Sequence, residues 1–496
     1  MRPVMRSTVL LAAGALLASP LAAQDYTVRV DAGAQSVSYR GLRLDSIPVG
    51  QMVPAPTGGS QTPDGYAAYC IAGRAYCDYY RAGARQTGGP FTTGVDLTAW
   101  GFGVKGLSLH ANARLAADFG DANVWPGTDP ALQLFEGYAE YAATRYTLRV
   151  GRQVMRWRLG YTGFDGARAT YRVPTVGLTA DLFGGWGLAR GTALPVTSEA
   201  LNPLDQWQPL QRQRLIGAGL GLERQVVEAR AEYLREVDPA TDFFVSERIA
   251  LSGAVRPIPG WSVTAGAEYD LSNEWWGTSD IALRHTNRLF GGSVGLRRYR
   301  PYFDLWTIWG AFSPVPYNAV NGSLWVTPVP GLELRASGEK YNYDDTETFT
   351  PLVDEETDGW RWSAGVGYAF SQAVSADLGI HDERGPGAAA QGWDASVSVR
   401  PVPRLTLTAS GGRLERPLEF RFSDATLKYG GLAADYRAGE HLRFNAAITR
   451  YSEDRDRPDA AAIDWSQTRL RAGLTWMFGS DADRLTLPPA RRRTAR

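Results

Sequence analysis

Apolar and polar residues alternate one by one over much of this chain, most plainly between Phe135 and Val173. Tyr146, Leu148 and Val150 alternate with Thr147, Arg149 and Gly151, and Ala167, Ala169 and Tyr171 alternate with Arg168, Thr170 and Arg172. A period of two is the pattern of a β-strand with unlike faces. The polar face is charged, with Glu136 and Glu140 on one run and arginines on the next two. A soluble sandwich would need large core residues on the apolar face. Small Ala mixed with Tyr, Leu and Val fits a face that meets lipid, with the arginines in water. The stretch predicts the wall of a transmembrane β-barrel with a charged lumen.

The same rhythm recurs along the chain. A first strand is expected over 25–41, then a long irregular external loop over 42–90, then a hairpin about Lys105-Gly106. Trp261, Val263, Ala265, Ala267, Tyr269 and Leu271 form one later lipid face, and Trp360, Trp362, Ala364, Val366, Tyr368 and Phe370 form another. Their aromatics stand at the ends, where girdles meet lipid headgroups. Short turns such as Pro257-Ile258-Pro259-Gly260 alternate with long polar segments over 187–211, 344–359 and 452–466. That asymmetry belongs to outer-membrane barrels. The aromatic stretch Tyr302–Ala319 is read as one external segment. The expected fold is all-β: an antiparallel up-and-down barrel of about 22 strands, within a range of roughly 18–24, with no plug domain.

The last strand sets Leu470, Ala472, Leu474, Trp476 and Phe478 against Arg471, Gly473, Thr475 and Met477. An alternating strand that ends in Phe resembles the signal read by barrel-assembly machinery, here carried by Leu470, Leu474, Trp476 and Phe478. A basic tail over 479–496 follows, expected in the periplasm. At the other end, Arg2 and Arg6 precede a short apolar run and small residues, which reads as a signal peptide over 1–23. The barrel then spans 24–478.

Composition sharpens this picture in three places. The 55 glycines, 16 tryptophans and 23 tyrosines suit turn-rich β structure with interfacial girdles. A net formal charge of zero argues against a nucleic-acid partner. Cys70 and Cys77 are the only cysteines, and an exported chain is expected to pair them, closing a small loop. Metal ligation is the rival reading, but no histidine lies nearby.

Arg149, Arg152, Arg156, Arg158, Arg168 and Arg172, with Glu136 and Glu140, are the candidate pore-lining residues. Opposed rows of fixed charge select permeants by sign and hydration. The plainer reading is a ladder of cross-strand Arg–Glu pairs that stiffens the wall. Arg152 has the opposite parity to Arg149 and needs a bulge at Gly151 to face inward. The expected function is passive diffusion of small hydrophilic or anionic solutes. Outer-membrane lipid and lipopolysaccharide are the expected surroundings, and no cofactor or metal is called for.

In this block Gly151-Arg152-Gln153, Arg158, Gly160, Phe164-Asp165-Gly166 and Arg168 resemble the alginate-export type of outer-membrane porin. The resemblance implies a monomeric channel whose arginine-lined lumen passes an anionic polysaccharide or similar acid. The strand count exceeds that family's own. Two other classes compete. A surface receptor or structural barrel would use the long loops, and Cys70–Cys77 would supply a rigid one. A barrel-wall hydrolase needs a His beside Ser, Asp or Glu, yet His110, His285, His381 and His441 stand singly, so no catalytic residue is assigned.

Overall fold

The computed structural model describes residues 25–55, 59–120, 131–188, 212–237, 245–300, 316–344, 357–385, 388–417, 424–455 and 465–480. The leader expected over 1–23, the basic stretch beyond residue 480 and most of the long polar segments lie outside these residues.

Twenty-two antiparallel strands form one closed wall. In chain order they begin with β1 Asp25–Pro48, β2 Pro90–Trp100, β3 Leu107–Asp118, β4 Leu132–Ala142, β5 Tyr146–Trp157, β6 Gly160–Val173 and β7 Leu178–Gly187. Then come β8 Arg214–Glu223, β9 Val227–Val237, β10 Val245–Val255, β11 Trp261–Asp270, β12 Trp275–Thr286, β13 Phe290–Tyr299 and β14 Tyr317–Val326. The last eight are β15 Leu332–Tyr343, β16 Asp358–Ala369, β17 Val374–Gly385, β18 Ala388–Val402, β19 Leu405–Pro417, β20 Asp424–Arg437, β21 Leu442–Arg455 and β22 Trp465–Gly479. Each pairs with the next, and β1 closes on β22 through Val28 opposite Phe478, Val30 opposite Trp476 and Ser36 opposite Leu470.

Closure removes the free sheet edges that an open sheet of this size would carry. The outward parity exposes Leu148, Val150, Leu182, Ile216, Leu220, Leu251, Leu296 and Leu432, with Trp186, Trp362 and Trp476 among them. An apolar surface that runs round a whole barrel is matched by a bilayer, not by water. The inward parity is polar on nearly every strand. No helix among the described residues is long and apolar enough to cross a membrane.

Two features depart from the expected pattern. Residues 42–90 are not one irregular loop. Strand β1 runs on to Pro48, and Tyr76–Gly88 pairs with its upper half from Val37 to Pro48, with a bulge between Arg40 and Leu42. Beyond Val37 this ribbon has no neighbour from β22, whose pairing with β1 stops there. Cys70 and Cys77 face each other across its tip as a disulfide. Both faces of the ribbon meet water, so its sequence lacks the one-sided apolar stripe of a wall strand. The second departure is β14, which begins at Tyr317, inside the stretch expected to be a single external segment.

Candidate functional site in the lumen

A tight turn normally marks one end of this barrel and a long segment the other. The β5–β6 hairpin breaks the rule, turning within Arg158 and Leu159 at the long-segment end. β5 pairs with β4 only as far as Arg152 opposite Gly137, and β6 pairs with β7 only as far as Phe164 opposite Gly187. Between those limits the hairpin pairs with itself, Tyr161 opposite Arg156 and Thr162 opposite Met155. The wall cannot hold it, and it folds inward.

Gly151 sits at the bend with φ 131°. A Cβ there would collide with the Gly137 carbonyl, so both the backbone angle and the close approach require glycine. Past the bend, Met155, Leu159 and Phe164 bury against Phe183 of β7, Leu215 of β8, Leu234 of β9 and Ala250 of β10. Phe164 and Phe183 stack with ring centroids 5.1 Å apart, and Trp157 meets Phe183 at 4.9 Å. Large apolar side chains on the inner wall of a polar lumen thus have a partner. Each one fully buried contributes about 2 kcal/mol toward holding the hairpin down.

Polar contacts fix the tip. The backbone N–H groups of Arg158 and Leu159 donate to Glu232 Oε2 of β9 at 2.8 and 3.4 Å, and Arg248 of β10 donates to the Leu159 carbonyl at 3.0 Å. The Arg158 guanidinium reaches Asp280 of β12 at 2.6 Å, the Thr278 carbonyl at 3.2 Å and Glu268 of β11 at 3.5 Å. It lies on Gly266, where any side chain would displace it. The hairpin is therefore a strap across the inner faces of β7 to β12.

Folding over also exchanges the sides. Gln153, Met155, Thr162 and Phe164 are buried beneath the strap, while Arg156 and Tyr161 are exposed on its upper face. Arg156 stacks over Tyr161 at 5.6 Å and makes no ion pair among the described residues. This face looks onto the open part of the lumen.

The remaining sequence candidates fall in different places. Arg149 and Arg168 stand opposite each other on β5 and β6, and each turns to an acid. Arg149 bonds Glu140 of β4 and stacks over Tyr138 at 4.8 Å. Arg168 reaches Asp181 of β7 at 2.7 Å, where Thr170 also donates at 2.6 Å. Arg230 of β9 spans Asp181 at 3.5 Å and Glu232 at 2.7 Å, so the chain of charges runs on to the strap. Arg172 donates to Thr147 Oγ1 at 3.0 Å, lower on the wall. Glu136 lies 3.7 Å from His110, which also contacts Thr98 at 3.1 Å.

Arg152 is a correction. Its register with β4 and β6 is unbroken, and the expected bulge at Gly151 is absent. The side chain keeps outward parity and binds Asp165 at 2.7 and 3.0 Å and the Leu134 carbonyl at 3.0 Å, with Arg212 on the same carboxylate at 2.8 Å. By register Arg152 and Asp165 lie on the face of Val150 and Trp186, opposite to that of Arg149 and Arg168. Four of the six candidate arginines, Arg149, Arg152, Arg158 and Arg168, are thus paired with acids. Asp181, Glu232, Glu268 and Asp280 are the functional residues the sequence did not single out. Their inward parity was visible, but their partners were not: Glu232, Glu268 and Asp280 meet a turn folded in from far along the chain, and Asp181 meets Arg168, Thr170 and Arg230.

No known protein family matches this chain. No curated protein matches it either. Among solved structures it is similar to OpdK of Pseudomonas aeruginosa with vanillate, at 10% identity and a TM-score of 0.37, over 91% of this chain and 99% of that one. A BenF-like porin of Pseudomonas fluorescens Pf-5 gives 9% identity and 0.39 over 92% and 100%. The siderophore receptor PirA of Pseudomonas aeruginosa gives 10% and 0.42 over 91% and 80%. These likenesses are too slight to carry function, and the lumen has to speak for itself.

Proposed function

We propose that this protein is an outer-membrane channel through which small hydrophilic solutes diffuse passively, past a constriction made by the β5–β6 strap. The observation that supports this most is the strap: a wall hairpin turned into a polar lumen and pinned on four strands. It narrows the bore from one side and leaves the inner wall of the other strands open to water. The lumen carries fixed charges of both signs at close quarters, which is the device by which a water-filled pore sorts solutes. The short-turn end, where β1 begins and β22 ends, is assigned to the periplasm. Leu470, Leu474, Trp476 and Phe478 occupy the outward parity of the closing strand, where assembly machinery can read them.

Because most lumen arginines have acidic partners, net selection of anions should be slight, with Arg156 and Arg172 as exposed exceptions among the described residues. An acidic polysaccharide, the permeant that the likeness to alginate-export porins implied, gains little from such a lumen. Proteoliposome swelling tests the channel reading. Vesicles containing the protein should swell in isosmotic arabinose or glycine at rates that fall with solute size, and vesicles that do not swell contradict it.

One observation favours a second role at the long-segment end. The ribbon of Val37–Pro48 and Tyr76–Gly88 stands clear of the wall and exposes Leu44, Tyr69, Tyr76 and Tyr80 around a disulfide-closed tip. A receptor function would use this surface.

A further inference from the structure

The strap covers β7 to β12, so a solute passing it meets the uncovered wall, which includes β13 to β17. There one register level carries Ser293, Ser323, Ser337 and Ser363 on four consecutive strands, with His381 next on β17. Ser293 and Ser323 hydrogen bond at 2.8 Å, as do Ser337 and Ser363. At about 4.8 Å per strand this row runs for about 19 Å along the inner wall. It borders a recess of ≈ 420 Å³ that Asn321, Glu339 and Arg361 also line. That volume is within the usual range for small-molecule sites.

The charges of the recess are spent on each other. Glu339 accepts from Arg297 at 2.7 Å and from Arg361 at 2.6 Å, and Arg361 lies 3.9 Å from Glu383. Asp382, which also lines the recess, lies 3.8 Å from Arg384, so three carboxylates face three guanidinium groups and neither a carboxylate nor an amine solute finds an unmatched partner. Hydroxyl groups remain, and each both donates and accepts. A bound carboxylate uses only donors, and an ammonium uses only acceptors. A polyol uses both.

We infer that this recess is a binding site for a neutral polyhydroxylated solute, a sugar ring or short oligosaccharide, on the path past the strap. The inference rests on the channel reading and names the class of permeant it favours. The bound sugar exchanges hydroxyl–water for hydroxyl–serine hydrogen bonds, so affinity is low and release is fast, as conduction requires.

The experiment is a planar bilayer with single channels in potassium chloride, to which maltotriose is added. The expected result is a saturable block of current. In the double variant Ser323→Ala, Ser337→Ala the half-blocking concentration should rise about tenfold, because one lost sugar hydrogen bond per serine suffices for that factor. Ser398→Ala, farther round the lumen, should leave the block intact. Benzoate should not block. If current flows but maltotriose lowers it only as much as it lowers the bulk conductivity, or if benzoate blocks instead, the sugar site is overturned and the channel stands. If no current flows, the channel reading fails. Calorimetric titration of the detergent-solubilised protein with maltotriose then decides the site alone, and absence of a heat that the double variant removes overturns it.

Discussion

Arg158, in the turn of the β5–β6 hairpin, donates from Nη2 to Asp280 of β12 at 2.6 Å, across 122 residues of chain and six strands of wall. The contact joins two parts of the barrel that the sheet itself keeps apart. It completes a ring of compensation in which Glu268 shares the guanidinium and Gly266 makes room for it. Loss of Arg158 leaves Glu268 and Asp280 facing each other beneath a turn held only by Glu232, Arg248 and its apolar packing. Asp280 is a third exposed, so the cost to the closed strap is about 2–3 kcal/mol, below the usual figure for breaking a buried pair. Arg158→Ala should therefore raise open-channel current noise and add larger conductance levels. Heat-modifiable migration on gels should stay as it is, because the barrel closes through β1 and β22.

The paired arginines make a prediction about sign. Arg149→Gln and Arg168→Gln together remove two positive charges and leave Glu140 without its guanidinium partner. In water a unit charge about 5 Å from a passing ion acts with about 0.8 kcal/mol, or about a fourfold change in partition. The chloride-to-potassium permeability ratio, read from the reversal potential under a salt gradient, should fall, with chloride losing about that factor and potassium gaining it for each charge removed. Both residues lie on the inner wall, where substitutions tune selectivity more than assembly. An unchanged reversal potential would assign the pair to wall structure alone.

The cysteines give a third test. Cys70 and Cys77 close the tip of a ribbon whose strand pairing, among the described residues, is confined to β1 and its own short strands, so the bond matters locally and not to the barrel. Native protein should show no reactive thiol to a membrane-impermeant maleimide. After reduction both should label, and the far-ultraviolet β spectrum should not change. A thiol in the untreated protein, or loss of the barrel on reduction, contradicts this.

The wall was legible in the sequence because its cause is local. Tyr146, Leu148 and Val150 must face lipid, and a one-residue slip would put arginines there instead. The closing strand was legible for the same reason, down to the outward row from Leu470 to Phe478. The ribbon was not. Its residues alternate too, but neither face is buried, and the alternation carries no apolar bias to read. The strap was illegible for a different reason. Gln153, Met155 and Phe164 have the parity of lumen residues, and nothing local says that they turn against the inner faces of β7 to β10. Gly151 and Gly166 face each other at the bend, but a glycine pair within two strands does not by itself announce a hinge. Arg152 shows the same limit: parity gave its outward side correctly, and the assumed bulge moved it to the wrong one.

The claim on which the rest depends is that the β5–β6 hairpin narrows a water-filled channel. Single-channel conductance tests it most directly, comparing the intact protein with a variant in which residues 155–162 are replaced by a two-residue turn. The shortened hairpin no longer covers Phe183, Leu215 and Leu234, and the inner wall of β7 to β9 opens to solvent. The intact protein should give discrete steps in potassium chloride, and the shortened variant larger steps with the same number of channels per insertion. Equal steps in the two proteins, or no steps from either, would contradict the account.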